Sequence, residues 1–128
     1  MVNAYRLFTG ADGHSHVHRG TIQADVLIRA ATLQFRESPE SSSKCLHTAP
    51  VPQYVLMLTG IVEFSTSGGE TFRTYPGDVL LVSDTTGSGH AWRIIGKDAW
   101  KRACVVFSDV SDAYFAESAG LIERRQVV

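Results

Sequence analysis

Five side chains in this sequence can exchange protons near neutral pH or bind a cation through nitrogen: His14, His16, His18, His47 and His90. The first three are spaced by two in Gly13-His14-Ser15-His16-Val17-His18. On a strand they share one face and could hold a metal ion through their imidazoles, although a solvated edge strand is the simpler expectation. His47 stands in Leu46-His47-Thr48-Ala49-Pro50-Val51-Pro52-Gln53, ahead of the apolar run Tyr54 to Leu58 and Gly60. His90 closes the small, polar stretch that begins at Asp84. An imidazole can take a proton from a carbon acid or return one. Asp84 could orient His90 or act as a second base, or it could simply make a local turn. Cys45 and Cys104 lack metal-ligand or CxxC spacing and are expected as core thiols.

Strands must position these groups. Short runs rich in Val, Ile, Thr, Tyr and Phe, separated by Gly, Pro, Asp and Ser, continue to about residue 107. About ten strands are predicted, near residues 4–8, 15–22, 31–36, 44–49, 53–59, 61–66, 70–75, 78–83, 90–95 and 101–107. Ser67-Gly68-Gly69 supplies the positive φ that a tight hairpin needs. So many short strands hide their edges best in a closed barrel or a two-sheet jelly roll, so the expected fold is an all-β barrel. Beyond Phe107, Ser111 can cap a short C-terminal helix through Ala119, with Gly120 as its stop and Tyr114 and Phe115 in its apolar stripe. Such a tail would pack outside the barrel or cover its mouth.

Length and charge narrow the function classes. The 128 residues are 44% hydrophobic and suit one domain spanning the chain. Twelve Lys and Arg against 13 Asp and Glu give a net charge of −1, with no basic stripe to grip nucleic acid. The apolar runs are too short to span a membrane, and no basic region followed by an apolar stretch marks a secretory leader, so a cytoplasmic location is expected.

Two segments resemble the motifs of the cupin superfamily. The first cupin motif, G-x5-H-x-H-x3-4-E-x6-G, is similar to the stretch in which His47 takes the first histidine, Ala49 the second, Gln53 the glutamate and Gly60 the last glycine. The second, G-x5-P-x-G-x2-H-x3-N, resembles Gly77 to His90, with Ser83 for the proline, a loop two residues longer before His90, and Ile94 for the asparagine. The likeness covers about residues 31–107 and implies a cupin-type β-barrel, the double-stranded β-helix or jelly roll. It also implies that His47, Gln53 and His90 project into the lumen, with Cys45, Ala49, Val55, Met57 and Trp92 beside them. Trp92, Met57 and Arg36 would then bind substrate. His47, Gln53 and His90 would be the ligands of one divalent ion (iron, manganese, zinc or copper) if one is bound; without a carboxylate such a site holds metal weakly. The leading functional expectation is a small cupin-like enzyme of the isomerase, cyclase, dehydratase or lyase kind. His47, His90, Gln53 and Asp84 would do acid and base chemistry on an apolar or aromatic oxygenated metabolite. The alternatives are a metal-dependent dioxygenase and a non-catalytic ligand-binding cupin. A homodimer is expected from the likeness alone.

Overall fold

The computed structural model describes residues 2–39, 41–43, 45–107 and 114–118. Period-two alternation decides its architecture. In β5 (Ile61–Thr66) every second residue is buried, and β1 (Val2–Thr9) and β2 (Ser15–Ile22) likewise turn Leu7, Ser15 and Val17 inward. The other strands are β3 (Ala30–Ser38), β4 (Gln53–Thr59), β6 (Thr71–Thr74), β7 (Val79–Val82), β8 (His90–Ile95), β9 (Trp100–Phe107) and β10 (Phe115–Glu117). Seven form one sheet in the order β10-β2-β1-β7-β4-β9-β3, and three form a second in the order β6-β5-β8. All contacts are antiparallel except β1 with β7.

The inner faces meet in a core of Tyr5, Leu7, Val55, Met57 and Leu80 from the larger sheet and Val62, Phe64 and Phe72 from the smaller. Phe64 is its hub: it stacks on Phe72 at 5.2 Å and meets the edge of Trp100 at 5.8 Å. Full burial of an aromatic of this size contributes about 1.5–3 kcal/mol. The outer face of the larger sheet carries a second apolar cluster around Ala4, Ile22, Tyr54 and Leu81. No helix among the described residues is long and apolar enough to cross a membrane.

Three expectations are corrected. The strand expected over 44–49 is reduced to single bridges, Ser42 with Arg93 and His47 with His90, so this segment borders β8 without a regular ladder. Pro50 and Pro52, which lack a backbone donor, follow it directly. The two sheets accordingly remain separate, and no closed barrel is formed among the described residues. The expected C-terminal helix is also absent where it can be seen, because Phe115–Glu117 is a strand antiparallel to β2. Gly20 permits this: a Cβ there would overlap the Ala116 carbonyl oxygen. The added strand covers the edge of β2 at Gly20–Ile22 and packs Phe115 on the outer apolar cluster, which a helix could not do while also bonding that edge. The rest of the expected helix, 111–113 and 119, lies outside the described residues.

The edge of β2 that carries the amino-terminal histidines is not bonded by β10, which pairs only with Gly20–Ile22, but the hairpin of the other sheet meets it: Gly68 N–H donates to the Ser15 carbonyl at 3.0 Å. His14 precedes the strand and is exposed. His18 Nδ1 lies 3.5 Å from Glu117 Oε2. His16 is clamped between carboxylates, with Nδ1 2.8 Å from Glu70 Oε1 and Nε2 2.9 Å from Asp12 Oδ2. A ring that donates from both nitrogens is an imidazolium and has no lone pair for a metal. Burial opposes its charge, but the hydrogen bonds to Asp12 and Glu70 outweigh burial and raise its pKa above the ordinary 6.5. The stability this clamp contributes is therefore fully present below pH 6.5 and lost as the pH rises through the raised folded-state value. Thermal melts should show wild type losing more Tm than His16→Gln between mildly acid and mildly alkaline buffer. Parallel pH profiles for the two proteins would contradict the clamp.

Candidate functional site

The loop from Asp84 to Gly89 builds the site by packing glycine against backbone at two places. Gly87 has φ +79° and faces the Gly13 carbonyl; Gly89 has φ +81° and faces the His47 carbonyl. A side chain at either would clash, so only glycine lets this loop lie against its neighbours. The result is a reciprocal backbone pair: His47 N–H donates to the His90 carbonyl and His90 N–H to the His47 carbonyl, both at 2.8 Å. The two imidazoles are thereby fixed with ring centroids 4.7 Å apart.

Behind His90 lies a buried polar chain. Asp84 is 0% exposed and His90 5%. His90 Nδ1 is 2.5 Å from Asp84 Oδ2, and the Ser15 hydroxyl donates to the same oxygen at 2.6 Å. A carboxylate accepting from Nδ1–H fixes the tautomer and leaves the Nε2 lone pair as the ring's remaining polar position. Asp84 Oδ1 is buried and has no hydrogen-bond partner. Leaving such an oxygen unpaired costs about 1–3 kcal/mol.

His47 stands at the rim and is more open than His90. Partial burial of its ring, and then the nearness of the second imidazole at His90, hold its pKa below the ordinary imidazole value. Both rings line a cavity of about 340 Å³ together with Gln53, Trp92, Trp100, Arg36 and Arg102.

Of the residues singled out from sequence, His47, His90, Gln53, Trp92 and Arg36 all border this cavity, and Asp84 lies directly behind it. Met57 does not line it: the Trp100 indole N–H donates to Met57 Sδ at 3.2 Å, which places the thioether in the core. Cys45 is exposed rather than inward, because the segment that carries it is not a regular strand and strand alternation does not apply. Ala49, Val55 and Cys104 are buried on the cavity wall.

Ser15, Trp100 and Arg102 were missed. Trp100, Arg102 and Cys104 alternate along β9, a signal present in the sequence, whereas the contact of Ser15 with Asp84 joins segments far apart in the chain. Arg102 is 6% exposed, its guanidinium carbon lies 3.8 Å from the Trp100 ring centroid, and its Nη1 donates to Ser38 Oγ at 2.9 Å.

The donor set does not fit a tightly held metal. The cavity offers two imidazoles and one amide, none of them an anion, while Asp84 is engaged behind His90; no group of three His, Cys, Asp or Glu among the described residues is arranged to hold an ion. Gln53 donates its amide N–H to the Val51 carbonyl at 3.3 Å. Gln53→Glu adds the missing anion and should raise zinc or manganese affinity at least about tenfold by calorimetry, because a carboxylate binds such cations better than an amide oxygen. Unchanged affinity would mean that residue 53 does not meet an ion placed between the imidazoles.

No model of a known protein family matches this sequence, and no curated protein sequence matches it significantly.

Proposed function

We propose that this chain is a cupin-like enzyme of the non-redox kind, which moves a proton on a small molecule held between the sheets. The cupin likeness rests on the two sequence motifs, on the two-sheet all-β architecture and on the location of His47, Gln53 and His90 on one cavity. One observation carries the catalytic reading: the Ser15–Asp84–His90 chain, in which a buried carboxylate directs one face of an imidazole and leaves Nε2 as a base. A merely structural histidine has no need of an uncompensated carboxylate oxygen behind it.

In this reading His90 Nε2 removes a proton next to a carbonyl, and Asp84 stabilises the imidazolium that forms. Neutral His47 and the second amide N–H of Gln53 donate to the oxygen on which charge develops. Returning the proton to a different atom gives isomerisation; expelling a leaving group gives dehydration or another elimination.

The test is an NMR screen in D₂O of small aromatic ketones and hydroxy-carbonyl compounds. Wild type should exchange or rearrange the proton next to the carbonyl, and His90→Gln should lower that rate on the order of 10²–10⁴-fold. Exchange that survives His90→Gln counts against the assignment. Metal-dependent oxygen uptake would transfer the site to the dioxygenase reading, and saturable binding without any turnover would transfer it to ligand sensing.

A further inference from the structure

The cavity is cationic on one side. Arg36 on β3 and Arg102 on β9 are directly opposite in the antiparallel register, so they share a face, and both border the cavity that His47 and His90 line. No acidic side chain stands on the cavity wall among the described residues. Like charges placed opposite each other on a strand pair repel, so an anion lying between the two guanidinium groups is favoured there. Arg36 has no ion-pair partner among the described residues, whereas the neighbouring residue Glu37, on the opposite face, is in register with Lys101. Arg102 is built in rather than draped on the surface, being stacked on Trp100 and bonded to Ser38.

We propose that the cavity binds a small aromatic carboxylic acid, its carboxylate held by Arg36 and Arg102 and its ring lying against Trp92 and Trp100. Guanidinium groups match a carboxylate in shape and charge, and a pair of them can share one. The two indoles, 4.9 Å apart between ring centroids and inclined at 66°, make an angled apolar corner against which a ring can rest. A volume of about 340 Å³ suits a single ring with a short acidic arm. The binding stands on the arginines and tryptophans alone. That the same acid is the molecule on which His90 acts rests on the proton-transfer reading.

Trp92 and Trp100 are the two tryptophans of the chain and both line the cavity, so intrinsic fluorescence reports its occupancy. Phenylacetate should quench it saturably, and the uncharged analogue phenylacetamide should bind at least about tenfold more weakly, the worth of charge-assisted hydrogen bonds. Arg36→Gln should abolish that preference for the acid; Arg36 is exposed on a terminal strand, so the variant folds, which circular dichroism checks. Equal binding of acid and amide, a preference that survives Arg36→Gln, or no quenching by either would overturn the proposal. Inorganic phosphate displacing phenylacetate at equal concentration would overturn the aromatic part of it. The two readings fail separately. Arg36-dependent acid binding with no proton exchange in the D₂O screen removes the catalytic role only, whereas exchange on neutral ketones without any preference for acids removes the acid specificity only.

Discussion

Asp84→Asn is expected to slow proton transfer on the order of 10³–10⁴-fold while leaving the protein folded. The reasoning turns on where the amide hydrogens of the asparagine would go. With its nitrogen in the place of Oδ2, it donates to the Ser15 hydroxyl oxygen and to His90 Nδ1, and both amide hydrogens are satisfied. In the opposite orientation the NH₂ occupies the place of Oδ1, which has no partner, and a buried donor is stranded. The first orientation wins. It moves the His90 proton to Nε2, and the lone pair that served as base is lost. Ser15→Ala is the control: it removes one hydrogen bond to the carboxylate but leaves the tautomer intact, so a loss of about tenfold is expected. Rates from the D₂O screen, with thermal melts of each variant, check both. Equal losses in the two variants would show that the chain acts by general support of the loop and not through the tautomer.

Gly89→Ala is expected to destabilise the protein by about 2–4 kcal/mol, combining the left-handed backbone with a backbone clash. At φ +81° an added Cβ runs into the carbonyl of His47, and that carbonyl cannot retreat without breaking the pair of 2.8 Å bonds that fixes the two imidazoles. Gly69→Ala is the matched comparison, since Gly69 has φ +93° but open space around it and so bears only the conformational cost. Tm should fall on the order of 10 °C for Gly89→Ala and by clearly less for Gly69→Ala. Turnover should fall with Tm only in the first. Similar melting of the two variants would show that the loop does not pack on His47 as described.

Much of the scaffold was legible from residue types. The strands over 15–22, 53–59, 61–66 and 90–95 coincide with β2, β4, β5 and β8, because β-branched and aromatic runs bounded by turn residues mark a strand locally. The Gly68-Gly69 turn was readable for the same local reason, as positive φ at Gly69 is a demand of the turn itself. The residues around the cavity were partly legible too: His47, Gln53, His90, Trp92 and Arg36 were found through motif likeness and strand period.

What the chain could not announce were the outcomes of competition between distant segments. Residues 115–117 carry helix-compatible types, yet the open edge of β2 and the absence of a side chain at Gly20 draw them into the sheet. Residues 44–49 read as a regular strand whose alternation puts Cys45 inside; in the fold the segment touches β8 only at isolated bridges and Cys45 faces solvent. The sequence expects His16 on a solvated edge strand, and only the fold brings Glu70, from the other sheet, onto one of its nitrogens. Composition and periodicity therefore determined an all-β chain and which faces of its strands turn inward, since those depend on each segment alone. The pairing of Ser15 with Asp84 and of Arg36 with Arg102 was decided only by tertiary structure, because register and sheet order bring together residues whose local sequences contain no trace of one another.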